Sequence, residues 1–132
     1  MSCIFCDIIN KKNNAQIVWE NKTAICILPK KIEAYGHLLV LSKTHLSDLS
    51  TGNHTALKNL IMAVKKTAKL LRTKLGAGGV NILLASGKTA QQSIAHLHFH
   101  VIPRFEKDKL DLWPKLPAKK FDSAEILKKL QR

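Results

Sequence analysis

A chain of 132 residues with 45% hydrophobic content is long enough to bury one core of its own and too short to divide into two domains. Twenty-two Lys and Arg face nine Asp and Glu, a formal charge of +13 that points to phosphate-bearing partners but fixes no ligand, since many lysines fall on the wet face of a helical pattern. No apolar run reaches the roughly 18 to 20 residues that span a bilayer, and four Phe, two Trp and one Tyr, with no basic stretch interleaved among them, argue against nucleic-acid stacking.

The start, "MSCIFCDIINKKNN", has no basic and apolar leader pattern, so a soluble cytoplasmic protein is expected. Cys3 and Cys6 have the Cys-x-x-Cys spacing of metal or redox sites, or are simply reduced thiols, while Cys26 sits in an apolar stretch as a buried core thiol. "QIVWE", "AICIL" and "HLLVLS" read as three strands, an antiparallel meander over residues 16 to 42. From Thr55, apolar Leu57, Leu60, Ile61, Val64, Ala68, Leu71 and Leu75 recur at spacings of three and four, which predicts one long helix. Thr51 or Asn53 is placed to cap it, and Gly76 is placed for a left-handed C-cap. "GAGG", residues 76 to 79, runs into the strand pattern "VNILLA" and so reads as a helix-to-strand turn, since a phosphate loop must open a helix. A polar loop, "SGKTAQQS", leads to the histidine strand. "FEKDKLDLWPKLPAKKF" reads as irregular surface chain before a short helix, "SAEILKKLQR".

"HLHFHVIPR" places His96, His98 and His100 on alternate residues, hence on one face of a strand, with Leu97, Phe99 and Val101 on the other. Three imidazoles on one face are a poor choice for a dry core, because each ring needs partners for two nitrogens. Two uses are open: chelation of a metal, or attack of an imidazole on phosphorus. The amide and hydroxyl donors of "QQS" upstream and the cation of Arg104 downstream favour a phosphate substrate.

His-Leu-His-Phe-His-Val-Ile resembles the motif of the histidine triad (HIT) superfamily of nucleotide hydrolases and transferases. "CIFCDIIN", "AYGHLLVLSKTH", the long helix and "SGKTAQQSIAHLHFHVIPR" are also similar to blocks of bacterial HIT proteins, so residues 1–104 match and 105–132 diverge within one domain of 132 residues. The resemblance implies an α+β fold with a five-stranded antiparallel sheet, one long helix and short helices, paired as a homodimer through the long helix and a strand. It further implies that His98 attacks the α-phosphorus of a purine nucleotide, that His100 orients it, and that His37 stands beside the triad. Gln92 and Ser93 match the polar pair that contacts phosphate and leaving group, and Gly87 and Arg104 complete the expected substrate site. Phosphoramidates, aminoacyl adenylates and dinucleoside polyphosphates all remain open as substrates. In HIT relatives with the amino-terminal cysteine pair, zinc is held by two cysteines and two histidines, which here implies Cys3, Cys6, His45 and His96 and a closed structural site.

The chain departs from the family pattern at three places. Ala85 and Ser86 stand where an asparagine pair is usual before Gly87, Pro29, Lys30 and Lys31 replace the acidic and amide residues expected to hold the ribose, and Ala90 and Gln91 replace small residues near the phosphate. These changes leave open a second reading, a catalytically weak nucleotide-binding protein with a structural zinc, and a third, a metal-binding structural protein.

Overall fold

Period-two alternation in the strands sorts their side chains onto two faces, and each face finds its own helix. The computed structural model describes residues 2–132. A short helix, α1 (Ile4–Ile9), precedes the hairpin β1 (Ile17–Glu20) and β2 (Ala24–Ile27); β3 (Leu38–Ser42), the long helix α2 (His54–Leu75), β4 (Gly79–Leu83), β5 (His98–Arg104) and α3 (Ser123–Leu130) follow. All strand pairs are antiparallel, in the order β1-β2-β3-β5-β4. The five strands and the long helix agree with the sequence reading.

Ala24, Cys26, Leu38, Val40 and Val101 pack with Leu60, Val64 and Leu71 of α2, whereas Ile25, Ile27, Leu39 and Leu41 pack with Phe5 and Ile8 of α1. Residues opposite each other in an antiparallel ladder share a face, and Leu39 pairs with His100 while Leu41 pairs with His98. Both histidines therefore lie on the α1 face. Cys26 is fully buried, and burial pushes its thiol up to about 11, as a core thiol requires.

Helix α2 begins at His54, one residue earlier than expected, because Asn53 and not Thr51 caps it: the Asn53 side chain accepts from the Ala56 amide at 2.8 Å. Gly76 closes it in the left-handed region, φ +71°, donating its N–H to the Leu71 carbonyl. The helix α1 was not expected from the sequence, since six residues are too few to display a 3.6-residue period. The histidine strand begins at His98 and not at His96, so the three histidines do not share one regular strand face. The polar loop contains a single 3-10 turn at Lys88–Ala90. Helix α3 is exposed along its whole length, and no described helix is long and apolar enough to cross a membrane.

Gly36 marks where the chain enters β3. Its φ is +78°, and a Cβ there would stand 2.7 Å from Pro103 Cγ and 2.9 Å from Leu75 Cδ1. Gly36→Ala combines backbone strain with a clash against a ring, so we expect a stability loss of about 1–3 kcal/mol, measured by denaturant unfolding. An unchanged midpoint would show that the turn can relax.

Candidate functional site

Four side chains from three parts of the chain converge beside α1. Cys3 and Cys6 bracket its first turn, His45 follows β3, and His96 precedes β5; their ligand atoms all lie within 4.8 Å of one another. His96 Nδ1 is 3.5 Å from each sulfur, and His45 Nδ1 is 3.2 Å from Cys6 Sγ. Tetrahedral zinc with ordinary Zn–S and Zn–N bonds requires S···N edges of about 3.6 Å, so the cluster is at coordination size. The tautomer also fits. His96 Nε2 is 2.8 Å from the Ser42 carbonyl, which only accepts; Nε2 therefore carries the proton and Nδ1 turns its lone pair to the sulfurs. Four protein ligands close the site, leaving no open position for chemistry.

His98 has the opposite tautomer. Its Nδ1 lies 2.8 Å from the His96 carbonyl and must donate, which leaves the Nε2 lone pair free in the neutral ring. Among the described residues Nε2 has no hydrogen-bond partner, and His98 lines a cavity of about 590 Å³. Phe5 stands edge-on to His98 at 5.1 Å between ring centroids and to His96 at 5.7 Å. Because Phe5 lies between the two cysteines, whatever pins them also pins a wall of the cavity. That residue escaped the sequence reading, although its position inside Cys-x-x-Cys was the available signal.

His100 Nδ1 and His37 Nε2 are 2.9 Å apart, their rings are stacked, and His37 Nδ1 is buried without a partner. Burial holds His98 below the ordinary histidine value, against the opposing pull of the His96 carbonyl. Burial first, then the neighbouring His98 and His37, brings His100 down to about 4, and burial likewise lowers His37. Both rings of the His37–His100 pair are thus neutral at pH 7. In the unfolded chain each would take a proton near pH 6.5. The unfolded state therefore binds more protons between pH 6.5 and about 4, and stability should fall as pH drops through that window. His100→Phe should flatten this slope in pH-dependent thermal unfolding; an unaltered slope would mean that other groups set it.

The remaining expected substrate residues separate. Ser93 is exposed and lines the cavity with His98 and His100. Gln92 is spent inside its loop: Oε1 accepts from Gly87 N at 2.8 Å, and Nε2 donates to the carbonyls of Ser47 at 2.6 Å and Ile94 at 2.9 Å. Gly87, at φ +93°, provides the left-handed corner and its amide for that brace. Arg104, expected at the substrate, lines neither the cavity at His98 nor its neighbour, and its guanidinium is bonded within its own segment and to β4. Its Nε and Nη2 fork onto Asp108 at 2.9 Å each, and Nη1 donates to Asn81 Oδ1 at 2.7 Å. Ser86 Oγ accepts from the Leu49 amide, and Lys30 and Lys31 stand exposed at the cavity's edge. Trp113, in the irregular segment after β5, is 83% exposed.

Comparison with known proteins gives this geometry a family. A HIT domain model matches residues 10–107. An uncharacterized HIT-like protein of Methanocaldococcus jannaschii is 41% identical over 106 residues, 80% of this chain and 81% of its own length. A zinc-bound histidine triad family protein from Mycobacterium smegmatis superposes with a TM-score of 0.80 at 34% identity, covering 85% of this chain and 81% of its own. A hypothetical histidine triad nucleotide-binding protein from Sulfolobus tokodaii superposes at 0.76 with 32% identity, covering 98% and 87%. With a zinc-bound relative and four ligands at coordination size, Cys3, Cys6, His45 and His96 form a structural zinc site. The matched region runs through all five strands and both arms of the histidine cluster, and the chain belongs to the histidine triad (HIT) family.

Proposed function

We propose that the protein is a nucleotide hydrolase or transferase that cuts the bond between the α-phosphorus of a purine nucleotide and its leaving group, with His98 as nucleophile. The observation that carries this reading is the His98 tautomer: the His96 carbonyl holds the proton on Nδ1, so Nε2 presents its lone pair to the cavity. Nε2 attacks phosphorus, the leaving group departs with the electron pair of the broken bond, and a nucleotidyl-histidine results. Water then attacks phosphorus and releases the nucleoside monophosphate, restoring Nε2.

Around this step the chain supplies positioning. His100, held by His37, orients the nucleophile; the Ser93 hydroxyl donates to a phosphoryl oxygen; Gly87 and Gln92 keep the loop in place. The cavity lies within the roughly 300–1,000 Å³ of small-molecule sites, and its apolar wall of Phe5, Ile8, Ile27, Leu39 and Ile94 suits a purine base. Lys30 and Lys31 bring positive charge to its rim. Zinc, when bound, supplies no Lewis acid to the substrate here; it braces α1 and the start of β5.

The working form is a homodimer joined through α2 and the β4 edge, where Ile61, Met62 and Ile82 are exposed. Reduced cysteines fit the cytoplasm. Light scattering should give twice the chain mass at micromolar concentration, and a monomer under those conditions would remove this part of the reading. The catalytic reading is tested by release of nucleoside monophosphate from adenosine and guanosine 5′-phosphoramidates by the zinc-loaded protein, together with a base-quenched nucleotidyl adduct on the peptide carrying His98. A second reading, a nucleotide-binding protein of weak catalysis, is favoured by the commitment of Gln92 and Arg104 to internal bonds. Tight nucleotide binding with neither turnover nor adduct would select it.

A further inference from the structure

The three cysteines live in different surroundings. Cys26 is fully buried on β2, whereas Cys3 and Cys6 are half-buried at the zinc cluster. The cluster itself is closed on one side and open on the other: His96 is fully buried, but His45 is exposed, and its Nδ1 stands 3.2 Å from Cys6 Sγ. A small polar molecule therefore reaches Cys6 from the His45 side without any part of the fold opening. Cys26 packs with α2 on the far face of the sheet, where α1 does not reach, so neither solvent nor another cysteine meets it.

Cys3 and Cys6 are also spaced to bond to each other. Cys3 is the N-cap of α1 and Cys6 lies in its first turn, with the Cys6 amide donating to Cys3 Sγ at 3.5 Å. Three residues along a helix separate Cα atoms by about 5 Å, inside the roughly 4.4–6.8 Å that disulfides span, and the two sulfurs are within 4.8 Å of each other. The same pair carries the attachment of α1. Among the described residues, the side-chain hydrogen bonds that join residues 3–9 to other elements all come from Cys3 and Cys6, and the rest of the hold is the packing of Phe5 and Ile8. Phe5, between the two cysteines, is the ring that stands edge-on to His98.

We propose that Cys3 and Cys6 are an oxidation site coupled to the cavity: a peroxide converts the zinc-holding thiolate pair into a Cys3–Cys6 disulfide, the ion leaves, and α1 loses its tie to His45 and His96. Cys6, on the open side, reacts first. Its thiolate attacks one oxygen of hydrogen peroxide, the O–O bond breaks, hydroxide departs, and the sulfenic acid of Cys6 forms. The Cys3 thiolate then attacks the Cys6 sulfur; the S–S bond forms, the S–O bond breaks, and a second hydroxide departs. The two sulfurs give up two electrons and the peroxide takes them. A thiolate is a metal ligand and a disulfide is not, so the cluster keeps only His45 and His96, two of the four ligands that a structural zinc site needs. The new bond lies within one turn of α1 and cannot replace a tether to residues 45 and 96. Release of α1 then withdraws Phe5 from His98 and from the wall of the cavity. Nothing in this sequence of steps depends on the chemistry performed at His98.

The experiment treats the reduced, zinc-loaded, full-length protein with hydrogen peroxide and follows zinc release with a colorimetric chelator. Zinc should leave in step with a disulfide in the tryptic peptide of residues 1–11, which becomes two hydrogens lighter, while Cys26 is still an alkylatable thiol after unfolding. The Tm should fall to that of the chelator-treated protein, and the ring-proton resonances of His98 should move as the edge of Phe5 withdraws. Dithiothreitol with added zinc should restore the metal content, the Tm and the resonances together. Cys26→Ala should respond as the wild type does. Zinc retained at peroxide concentrations that oxidise a free Cys-x-x-Cys peptide, a sulfinic acid on Cys6 in place of the disulfide, or a bond from either residue to Cys26 or to another chain would each remove the switch. Unmoved His98 resonances in the oxidised, zinc-free protein would show that α1 stays in place and would overturn the coupling to the cavity.

Discussion

His98→Asn is expected to lower nucleoside monophosphate release by at least about a thousandfold in kcat, with the far-ultraviolet spectrum and the zinc content unchanged. Asparagine is the informative replacement because its side-chain amide can still donate to the His96 carbonyl, the bond that His98 makes through Nδ1 at 2.8 Å. The packing around Phe5 and the zinc ligand His96 is then disturbed little, and the nucleophilic lone pair is what disappears. Binding of the product nucleotide should persist, since the apolar cavity wall is untouched. His100→Ala should cost less, because a ring that orients the nucleophile contributes positioning and not the bond itself. Retention of more than a tenth of wild-type turnover in His98→Asn would place the nucleophile elsewhere and remove the mechanism.

Loss of zinc is expected to produce the second large effect, this time on the fold. The four ligands tie residues 3, 6, 45 and 96 together, so the ion links the amino terminus to β3 and to the start of β5. Structural zinc sites couple binding to folding with large free energies, and a loss of about 3 kcal/mol would lower Tm on the order of 10 °C for a chain of this size. Cys6→Ser and a strong chelator should agree in this shift, and metal analysis should give one zinc per wild-type chain. Activity should fall with it. Once α1 is released, Phe5 no longer packs against His98 and the cavity loses a wall. His45→Ala, which removes an exposed ligand and leaves the histidine strand alone, separates the two consequences: a lowered Tm with zinc loss is expected, and an unchanged Tm in the zinc-free protein would deny the ion its structural role.

Much of the architecture was legible because it depends on local periodicity. Alternating apolar residues place Ile25, Leu39 and Leu41 on one face and Cys26 and Val40 on the other whatever the neighbours are, and the spacing from Leu57 to Leu75 specifies a buried stripe on a helix. Gly76 stops that helix for a purely local reason, its freedom at positive φ. The zinc ligands were reached through family resemblance: Cys3 and Cys6 advertise a half-site by spacing, but nothing in the residues between them and His45 or His96 says that the other half is there.

What the sequence by itself determined was therefore the five strands, the long helix and the residue types of the site, but neither α1 nor the point at which the histidine strand begins. Only the tertiary structure decided their jobs. His96 and His98 are the same residue two positions apart, yet one turns Nδ1 to zinc and the other turns Nε2 to the cavity, because a carbonyl 54 residues away, that of Ser42, claims the opposite nitrogen of His96. Arg104 and Gln92 have the donors that phosphate needs, but Asp108 and the carbonyls of Ser47 and Ile94 reach them first. A side chain's hydrogen-bonding capacity is written in its chemistry; its partner is set by what folding brings within about 3 Å, and that is a property of the assembled chain.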